Sequence, residues 1–236
     1  MNKAKIKYLF HSGYSIETAS HTFIFDYYQP RPLGDGMITA ESLTGKENVY
    51  VFCSHSHGDH YDPIILEWAK ANPSIHYILS NDITVKNKTL DCVFLAPYEE
   101  WRSGDIAVKT YGSTDAGVSF LVKADGLNIF HAGDLNWWHW SGETKAERDW
   151  ADNYFKTEME KLAGETIDIA MFPVDQRLEE NYSIGAEYFA AQMHPKLLLP
   201  MHFGETYATT AAFAAKAKDL AINTVAITRK GQEIIF

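Results

Sequence analysis

The chain has 236 residues, 46% of them hydrophobic, and a formal net charge of −10. Binding to nucleic acid or to an anionic membrane needs a basic surface, which an acidic chain of this kind disfavours. We therefore expect neither partner. We expect a small-molecule partner instead, and an anionic one is compatible with this charge because a bound divalent cation would dominate the local field.

Segments with strand and helix patterns alternate along the first half of the chain. Asp62 and Pro63 suit the N-cap and first turn of the first predicted helix. The segment NVYVFCS is more uniformly apolar than the other strand segments, which favours a central position in a sheet. The predicted elements are strands 5–11, 14–19, 21–28 and 48–54, a helix over 61–73, and strands 75–80 and 91–96.

The second half repeats the alternation. Its longest helical segment closes at Gly164, and the C-terminal segment predicts a hairpin that turns at Lys230 and Gly231. The predicted elements are strands 106–113, 118–124 and 127–134, a helix over 146–164, a strand 168–174, a helix 183–195, a strand 196–202, a helix 208–221 and a hairpin 224–236.

This double alternation, before and after about residue 115, predicts two similar halves packed sheet to sheet. The fold class is therefore α/β (α+β), and we assign residues 1–236 to a single domain. Cys53 and Cys92 are the only cysteines, so we expect no disulfide framework and a cytoplasmic location. Residues 1–15 have no apolar run suited to a signal peptide, and no later run predicts a membrane span.

The segment HSHGDH places His55, His57, Asp59 and His60 directly after an apolar strand. In a loop that leaves a strand, His55 and His57 can bind one ion because alternating side chains project to the same side. Asp59 and His60 can face a second position a few Å away, because Gly58 permits a tight turn between the two pairs. Imidazole and carboxylate suit zinc, manganese, iron or nickel, and do not choose among them. The alternative is a polar surface loop that is rich in histidine. The spacing favours a metal site.

Two other polar residues also follow apolar strands, namely Asp134 after LNIFHAG and His202 after LLLPM. Ligand sites in open α/β sheets collect at strand ends, where a rigid scaffold carries the exposed loops. Asp134 and His202 are therefore candidate members of the site around His55.

The segment SHSHGDH resembles the H-x-H-x-D-H signature of the metallo-β-lactamase superfamily, whose members share a four-layer αββα sandwich. The resemblance implies that Asp134, in FHAGD, bridges two metals and that His202, in LLLPMHFG, binds the second. The opening segment YLFHSGYSIETASHTFIFDYY is similar to the ascorbate-6-phosphate lactonase-like branch, with His11 and Asp26 at its motif positions.

One position departs from the family pattern. The family usually supplies a third histidine to the first metal, but VKTYGSTDAGVSFLV contains none. Asp115 is the available substitute, and an ordinary turn residue is the alternative reading. Without Asp115 the first site would keep His55, His57 and Asp134, while the second ion could still be held by Asp59, His60, Asp134 and His202.

The ligand set predicts hydrolysis. A divalent cation lowers the pKa of bound water from about 15.7 toward about 7, which makes a metal-bound hydroxide available at neutral pH. Asp59 is the candidate catalytic residue, as a ligand, as the proton acceptor, or as both. His11 could contact the substrate or support a ligand, and these two roles are equally compatible with the sequence.

Two loops beside these motifs are candidates for covering the site. Residues 134–150 contain Trp137, Trp138, Trp140 and Trp150, with His139 as a candidate substrate contact. This segment could form a pocket wall, a subunit interface in a homo-oligomer, or plain packing. The long loop 27–48 is rich in proline and glycine and is a candidate lid.

We therefore predict a metal-dependent hydrolase of a small lactone, ester or phosphoester, holding one or two divalent ions, with zinc preferred and manganese, iron or nickel open. The first alternative is a phosphodiesterase or nuclease, which needs a basic groove, and Arg31 and Arg177 are the nearest basic residues. The second alternative is a catalytically degenerate metal-binding protein. A di-iron oxidoreductase is a weaker option.

Overall fold

The computed structural model describes residues 3–29 and 36–236, and its strands form two sheets that pack face to face. In chain order the strands are β1 (Lys5–Phe10), β2 (Gly13–Glu17), β3 (Thr22–Phe25), β4 (Val49–Cys53), β5 (His76–Ser80), β6 (Cys92–Leu95), β7 (Glu100–Ser103), β8 (Ile106–Tyr111), β9 (Ser119–Ala124), β10 (Leu127–His131), β11 (Ile169–Pro173), β12 (Leu197–Met201) and β13 (Glu233–Ile235). The α-helices are α1 (Lys145–Glu160), α2 (Ile184–Met193) and α3 (Tyr207–Asp219). Short 3₁₀ helices cover Glu41–Leu43, Pro63–Lys70 and Gln176–Asn181.

The first sheet has the strand order β13-β1-β2-β3-β4-β5-β6, and the second has the order β12-β11-β10-β9-β8-β7. Strand β4 lies between β3 and β5, parallel to both, and all five of its residues are buried. This confirms the central position predicted from its apolar pattern. The predicted α/β class with two packed sheets is also confirmed.

The change from the first sheet to the second comes between β6 and β7, which is earlier than the predicted division near residue 115. Strand β7 was not predicted because its sequence, EWRS, is polar and mostly exposed. It pairs with β8 at the open edge of the second sheet, where one face and one edge contact solvent.

The predicted hairpin over 224–236 is wrong. Thr224 forms a bridge with Leu198 in the second sheet, whereas β13 pairs with β1 in the first sheet. Each half of the segment meets the open edge of a different sheet, so pairing with those edges replaces pairing with each other. Gly231 still makes the predicted turn, with a φ of 70°.

Two predicted helices differ in type or length. The segment 61–73 forms a 3₁₀ helix over Pro63–Lys70, although Asp62 caps it as predicted by accepting a hydrogen bond from the Ile64 amide at 3.0 Å. Helix α1 begins with a capping box between Thr144 and Glu147 and ends at Glu160, before Gly164. Within the described residues, no helix has the length and apolarity that crossing a membrane requires.

Helical segments cover the outer face of each sheet. Phe130 of the second sheet stacks on Phe189 of α2, and Phe172 packs against the same ring at a tilt, with ring centroids 5.2 and 4.7 Å apart. The outer face of the first sheet packs against the 3₁₀ helix Pro63–Lys70, through Ile65 and Trp68. The helix that packs on this face is therefore a 3₁₀ helix and not an α-helix.

Glu165 makes the stability of the second sheet depend on pH. Burial alone would raise the pKa of Glu165, but hydrogen bonds from Lys123 (2.8 Å), Tyr111 (2.7 Å) and Lys109 (3.1 Å) lower it from 4.5 to about 2. A lowered carboxyl pKa stabilises the fold above the unfolded-state pKa, and this stabilisation is lost as the pH falls from about 4.5 toward about 2.

We expect Glu165→Gln to lower the free energy of unfolding at pH 6, and we expect the gap from the parent protein to shrink at pH 4 and pH 3. Urea unfolding at these pH values measures the gap. Glu160→Gln, at the exposed end of α1, is the matched control and should show a small gap throughout. A gap for Glu165→Gln that stays constant with pH would contradict this role.

Candidate metal centre

Histidine and aspartate side chains from distant parts of the chain meet where β4, β10 and β12 end. His55 lies just after β4, Asp134 just after β10, and His202 directly after β12, and all three are buried. The structure brings together all seven residues predicted for the site, and adds His11. This His/Asp cluster consists of His11, His55, His57, Asp59, His60, Asp115, Asp134 and His202.

Within the cluster, the donor atoms form three overlapping groups, and the atoms of each group lie within 4.8 Å of one another. The first group is His57, Asp115 and Asp134. The second is His55, His60 and Asp134. The third is His11, Asp59, His60 and His202. The sharing of Asp134 and His60 between groups is the arrangement expected of two neighbouring cation sites.

Asp134 lies at the centre of the cluster. Its Oδ2 is 3.5 Å from His55 Nε2, while its Oδ1 is 3.2 Å from His60 Nε2. The same Oδ1 is 3.3 Å from Nε2 of His202. One carboxylate therefore faces imidazoles that follow two different strands, one from each sheet.

Four atoms of the cluster are buried and make no hydrogen bond of acceptable geometry to the described residues, although some of them lie close to other cluster atoms. The four atoms are Nε2 of His11, of His55 and of His60, and Oδ1 of Asp134. An unpaired buried polar atom costs about 1–3 kcal/mol, and a cation would satisfy several of these atoms together. The nitrogen and oxygen donors suit zinc, manganese, iron or nickel, so the residues present fit a divalent metal.

Asp26 orients His60 from behind. Its Oδ2 lies 2.7 Å from His60 Nδ1 and accepts a hydrogen bond from Ser54 Oγ at 2.6 Å, while its Oδ1 accepts one from the Ser54 amide at 2.7 Å. A proton on Nδ1 leaves Nε2 free to face the cluster. Burial opposes the charge on Asp26, yet His131 and His60 hold the pKa of Asp26 well below its usual range.

The carboxylates beside His60 favour its protonated form when no cation is bound. Burial lowers the pKa of this imidazole, but Asp134 and Asp26 outweigh burial and raise it to about 9. A histidine that binds a metal must be deprotonated at the coordinating nitrogen, so coordination of a cation by His60 would release a proton.

Asp175 plays the corresponding part for His202. Its Oδ2 lies 2.9 Å from His202 Nδ1, and it also accepts hydrogen bonds from Arg177 Nε at 2.9 and 3.0 Å. Burial would raise the pKa of Asp175, but His202 and Arg177 hold it well below its usual range. Asp175 was missed in the sequence, although it follows the apolar strand β11 as Asp134 follows β10.

Asp115 reaches the cluster because its loop packs tightly on the first sheet. Gly117 has a φ of 68°, and a Cβ there would lie 1.9 Å from the Ser54 carbonyl oxygen, so this position needs glycine. The Val118 amide donates to the same oxygen at 2.9 Å. This contact holds Asp115 opposite His57, which is exposed like Asp115 itself.

Backbone strain is concentrated at the same place. His11, Asp26 and His202 have φ values of 53°, 40° and 68°, in the left-handed region that non-glycine residues rarely adopt. Such residues cost about 1–3 kcal/mol each and cluster at functional sites.

A cavity of about 730 Å³ opens above the cluster. Its floor includes His57, Asp59 and His202, and its walls include Trp138, Trp140 and Trp150. The tryptophan segment thus forms a pocket wall, apart from Trp137, which packs on Phe155 and Tyr188.

The sequence analysis named two further candidates near the site, His139 as a substrate contact and the loop 27–48 as a lid. His139 pairs with Asp152, through Nε2 and Oδ1 at 2.5 Å, and is not among the cavity-lining residues, so the described structure gives no support to its role as a substrate contact. The candidate lid 27–48 is only partly described, and residues 30–35, including Arg31, lie outside the described residues.

No protein-family model matches the chain. It is 22% identical over 222 residues to a UPF0173 metal-dependent hydrolase of Alkaliphilus metalliredigens (strain QYMF), covering 88% of this chain and 89% of that protein. Among solved structures it is similar to Igni18, a metallo hydrolase from the archaeon Ignicoccus hospitalis, with a TM-score of 0.69, 14% identity and coverage of 99% and 98%. The metallo-β-lactamase fold protein YhfI from Bacillus subtilis gives a TM-score of 0.64, 13% identity and full coverage of both chains. These likenesses confirm the fold that the resemblance to the superfamily implies, while the lactonase-like branch stays a prediction.

Proposed function

We propose that this chain, which has the metallo-β-lactamase fold, is a metal-dependent hydrolase of a small molecule. The observation that carries the proposal is a cluster with several buried, unpartnered nitrogen and oxygen atoms. Other members of this cluster, together with Asp134, line a cavity large enough for a small substrate. The curated relatives named as metal-dependent hydrolases support the same reaction class.

We assign the cluster to two cation sites. The first would use His57 and Asp115 together with His55, whose ring centroid lies 4.5 Å from that of His57. The second would use Asp59, His60 and His202, with Asp134 shared between the two sites. His11 lies in the same group as the second set, so it is a candidate additional ligand there. Zinc is our first choice of metal, and manganese, iron and nickel remain alternatives because the donor set suits each.

A bound divalent cation would lower the pKa of water toward about 7 and polarise a carbonyl or phosphoryl oxygen. The chain's own residues would supply the rest. Asp59 faces the cavity with a half-exposed side chain, and its Oδ2 is 3.4 Å from His11 Nε2. It is therefore placed to take up a proton from the attacking water and to share it with His11.

We infer a lactone, ester or phosphoester as the substrate, in the cytoplasm. A phosphodiesterase or nuclease acting on nucleic acid is less well supported. Among the described residues that line the cavity, Arg177 is the one with a permanent positive charge, and Asp175 already opposes that charge. The second alternative function is a catalytically degenerate metal-binding protein. Assembly into a homo-oligomer is compatible with each of these functions.

Metal analysis of protein purified without chelator tests the proposal, together with hydrolysis assays on a lactone, an ester and a phosphoester. We expect one or two ions per chain, loss of about one ion in His57→Ala, and a partial loss in Asp115→Ala. His194→Asn is the matched control, since His194 lies at the C-terminal end of α2 and asparagine accepts its left-handed backbone.

Full metal retention in Asp115→Ala would remove that residue from the first site. One ion per chain without hydrolysis of any of the three substrates would favour the metal-binding protein over the enzyme.

A further inference from the structure

The walls of the cavity are aromatic close to the His/Asp cluster. The rings of Trp138 and Trp140 stack with centroids 5.7 Å apart and planes 6° from parallel. Trp138 also meets the His202 ring edge to face at 5.5 Å, and its Nε1 donates to the Asp134 carbonyl oxygen at 3.1 Å. The stack is therefore fixed beside two residues of the cluster.

A second aromatic pair faces the cavity from α1. Trp150 and Tyr154 lie with ring centroids 5.2 Å apart, and both line the cavity together with Ala151. Trp150 is 64% exposed and Trp140 is 40% exposed. Exposed tryptophan beside a cavity favours a flat apolar occupant, because covering these rings removes apolar surface from water.

The charges of the outer wall are negative. Glu143 and Glu147 line the cavity. One oxygen of each is bound locally, since Glu143 Oε2 accepts from the Trp140 amide at 3.0 Å and Glu147 Oε2 from the Thr144 amide at 2.7 Å. The second oxygen of each carboxylate has no hydrogen bond to another described residue. These carboxylates would repel an anionic group at the mouth of the cavity.

The positive charge of Arg177 in the cavity wall does not offset the negative charges of Glu143 and Glu147. Arg177 lies over the Trp140 ring at 5.6 Å, but two of its nitrogens bind Asp175. The charge of Arg177 is thus already opposed by the carboxylate of Asp175.

We propose that the substrate carries a flat apolar group without negative charge, held between the Trp138–Trp140 stack and the Trp150–Tyr154 pair, with Glu143 and Glu147 rejecting anionic analogues. This inference rests on the proposed function for the reaction, and it adds the class of the non-reacting part of the substrate.

The inference is tested with two aryl acetates that differ by one charge. They are the neutral 4-carbamoylphenyl acetate and the anionic 4-carboxyphenyl acetate. Each enzymatic kcat/KM at pH 7 is divided by the rate constant of uncatalysed hydrolysis to remove differences in leaving group. We expect the neutral ester to be favoured about tenfold, since each carboxylate contributes a modest repulsion in a partly exposed wall.

The double variant Glu143→Gln/Glu147→Gln should reduce this preference to about twofold. Glutamine retains the capping box at the start of α1, so the helix is preserved. Glu160→Gln, at the other end of α1, is the matched control and should keep the tenfold preference. Trp140→Leu should raise KM about tenfold with little change in kcat, whereas Trp101→Leu, on β7, should leave both unchanged.

A second readout does not need turnover. Quenching of tryptophan fluorescence by 4-methoxybenzamide and by 4-methoxybenzenesulfonate, whose sulfonate is a weak ligand for divalent metals, measures binding to the metal-loaded protein. If neither acetate is hydrolysed, the proposed function fails for esters, while the binding preference still decides the inference. Equal or tighter binding of the anion, or a preference unchanged in the double glutamine variant, would overturn it.

Discussion

Asp134→Asn is expected to lower the metal content of both sites and to reduce hydrolysis by more than about 100-fold. Asp134 is common to two of the three donor groups, and its carboxylate faces His55 and His60, which follow β4, as well as His202, which follows β12. Asparagine keeps the shape but replaces one oxygen with an NH₂ group, which cannot bind a cation. Changing a residue that merely supports a ligand costs about 10–100-fold in metal affinity or activity, so changing a shared ligand should cost more.

Metal analysis and isothermal titration with zinc measure the first effect, and ester hydrolysis measures the second. Asp152→Asn is the matched control, because Asp152 also pairs with a histidine, His139, yet it lies outside the cluster. The control should retain the metal and the activity of the parent protein. Two ions bound to Asp134→Asn with unchanged affinity would show that Asp134 is not a shared ligand.

Much of the candidate site could be predicted because its signals are local in the sequence. His55, His57, Asp59 and His60 lie within one short loop, and a loop that leaves a buried strand has few ways to direct its side chains. Asp134 and His202 were found by a second local signal, a polar residue after an apolar strand. The family resemblance then joined these separate segments.

The residues behind the ligands were harder to predict. Asp175 follows an apolar strand like Asp134, but its partner His202 is 27 residues away in the chain, so their contact depends on the neighbouring positions of β11 and β12. The importance of Asp26 for His60 likewise depends on the parallel pairing of β3 with β4. Contacts of this kind follow from strand order, which periodicity does not reveal.

The errors in the fold have the same origin. The C-terminal segment has the local pattern of a hairpin. In the structure β13 pairs with β1, whereas Thr224 forms a bridge with Leu198 of β12. Both of these sheet edges exist only in the assembled sandwich. The segment 61–73 has the composition of an α-helix, yet the structure gives it 3₁₀ geometry against the first sheet. In both cases tertiary contacts overrode the local preference.

Asp26→Asn is expected to destabilise the metal-free protein by about 3 kcal/mol, because removing one partner of a fully buried charged network leaves the other unpaired. Asp26 is completely buried, and its carboxylate meets His60 Nδ1 and both donors of Ser54. Asparagine accepts the left-handed backbone at this position better than alanine does, so the variant isolates the lost charge from backbone strain. Urea unfolding at pH 7 measures the free energy.

The matched control is Asp82→Asn, since Asp82 also accepts a hydrogen bond from a backbone amide of the motif loop, that of Ser56 at 2.9 Å, but is exposed. We expect this change to cost less than about 1 kcal/mol. Asp26→Asn should also weaken zinc binding about 10–100-fold, because His60 would lose the partner that turns Nε2 toward the cluster. Loss of stability with full metal affinity would make Asp26 a packing residue, whereas loss of both ties the strength of the metal site to the same buried carboxylate that stabilises the junction of β3 and β4.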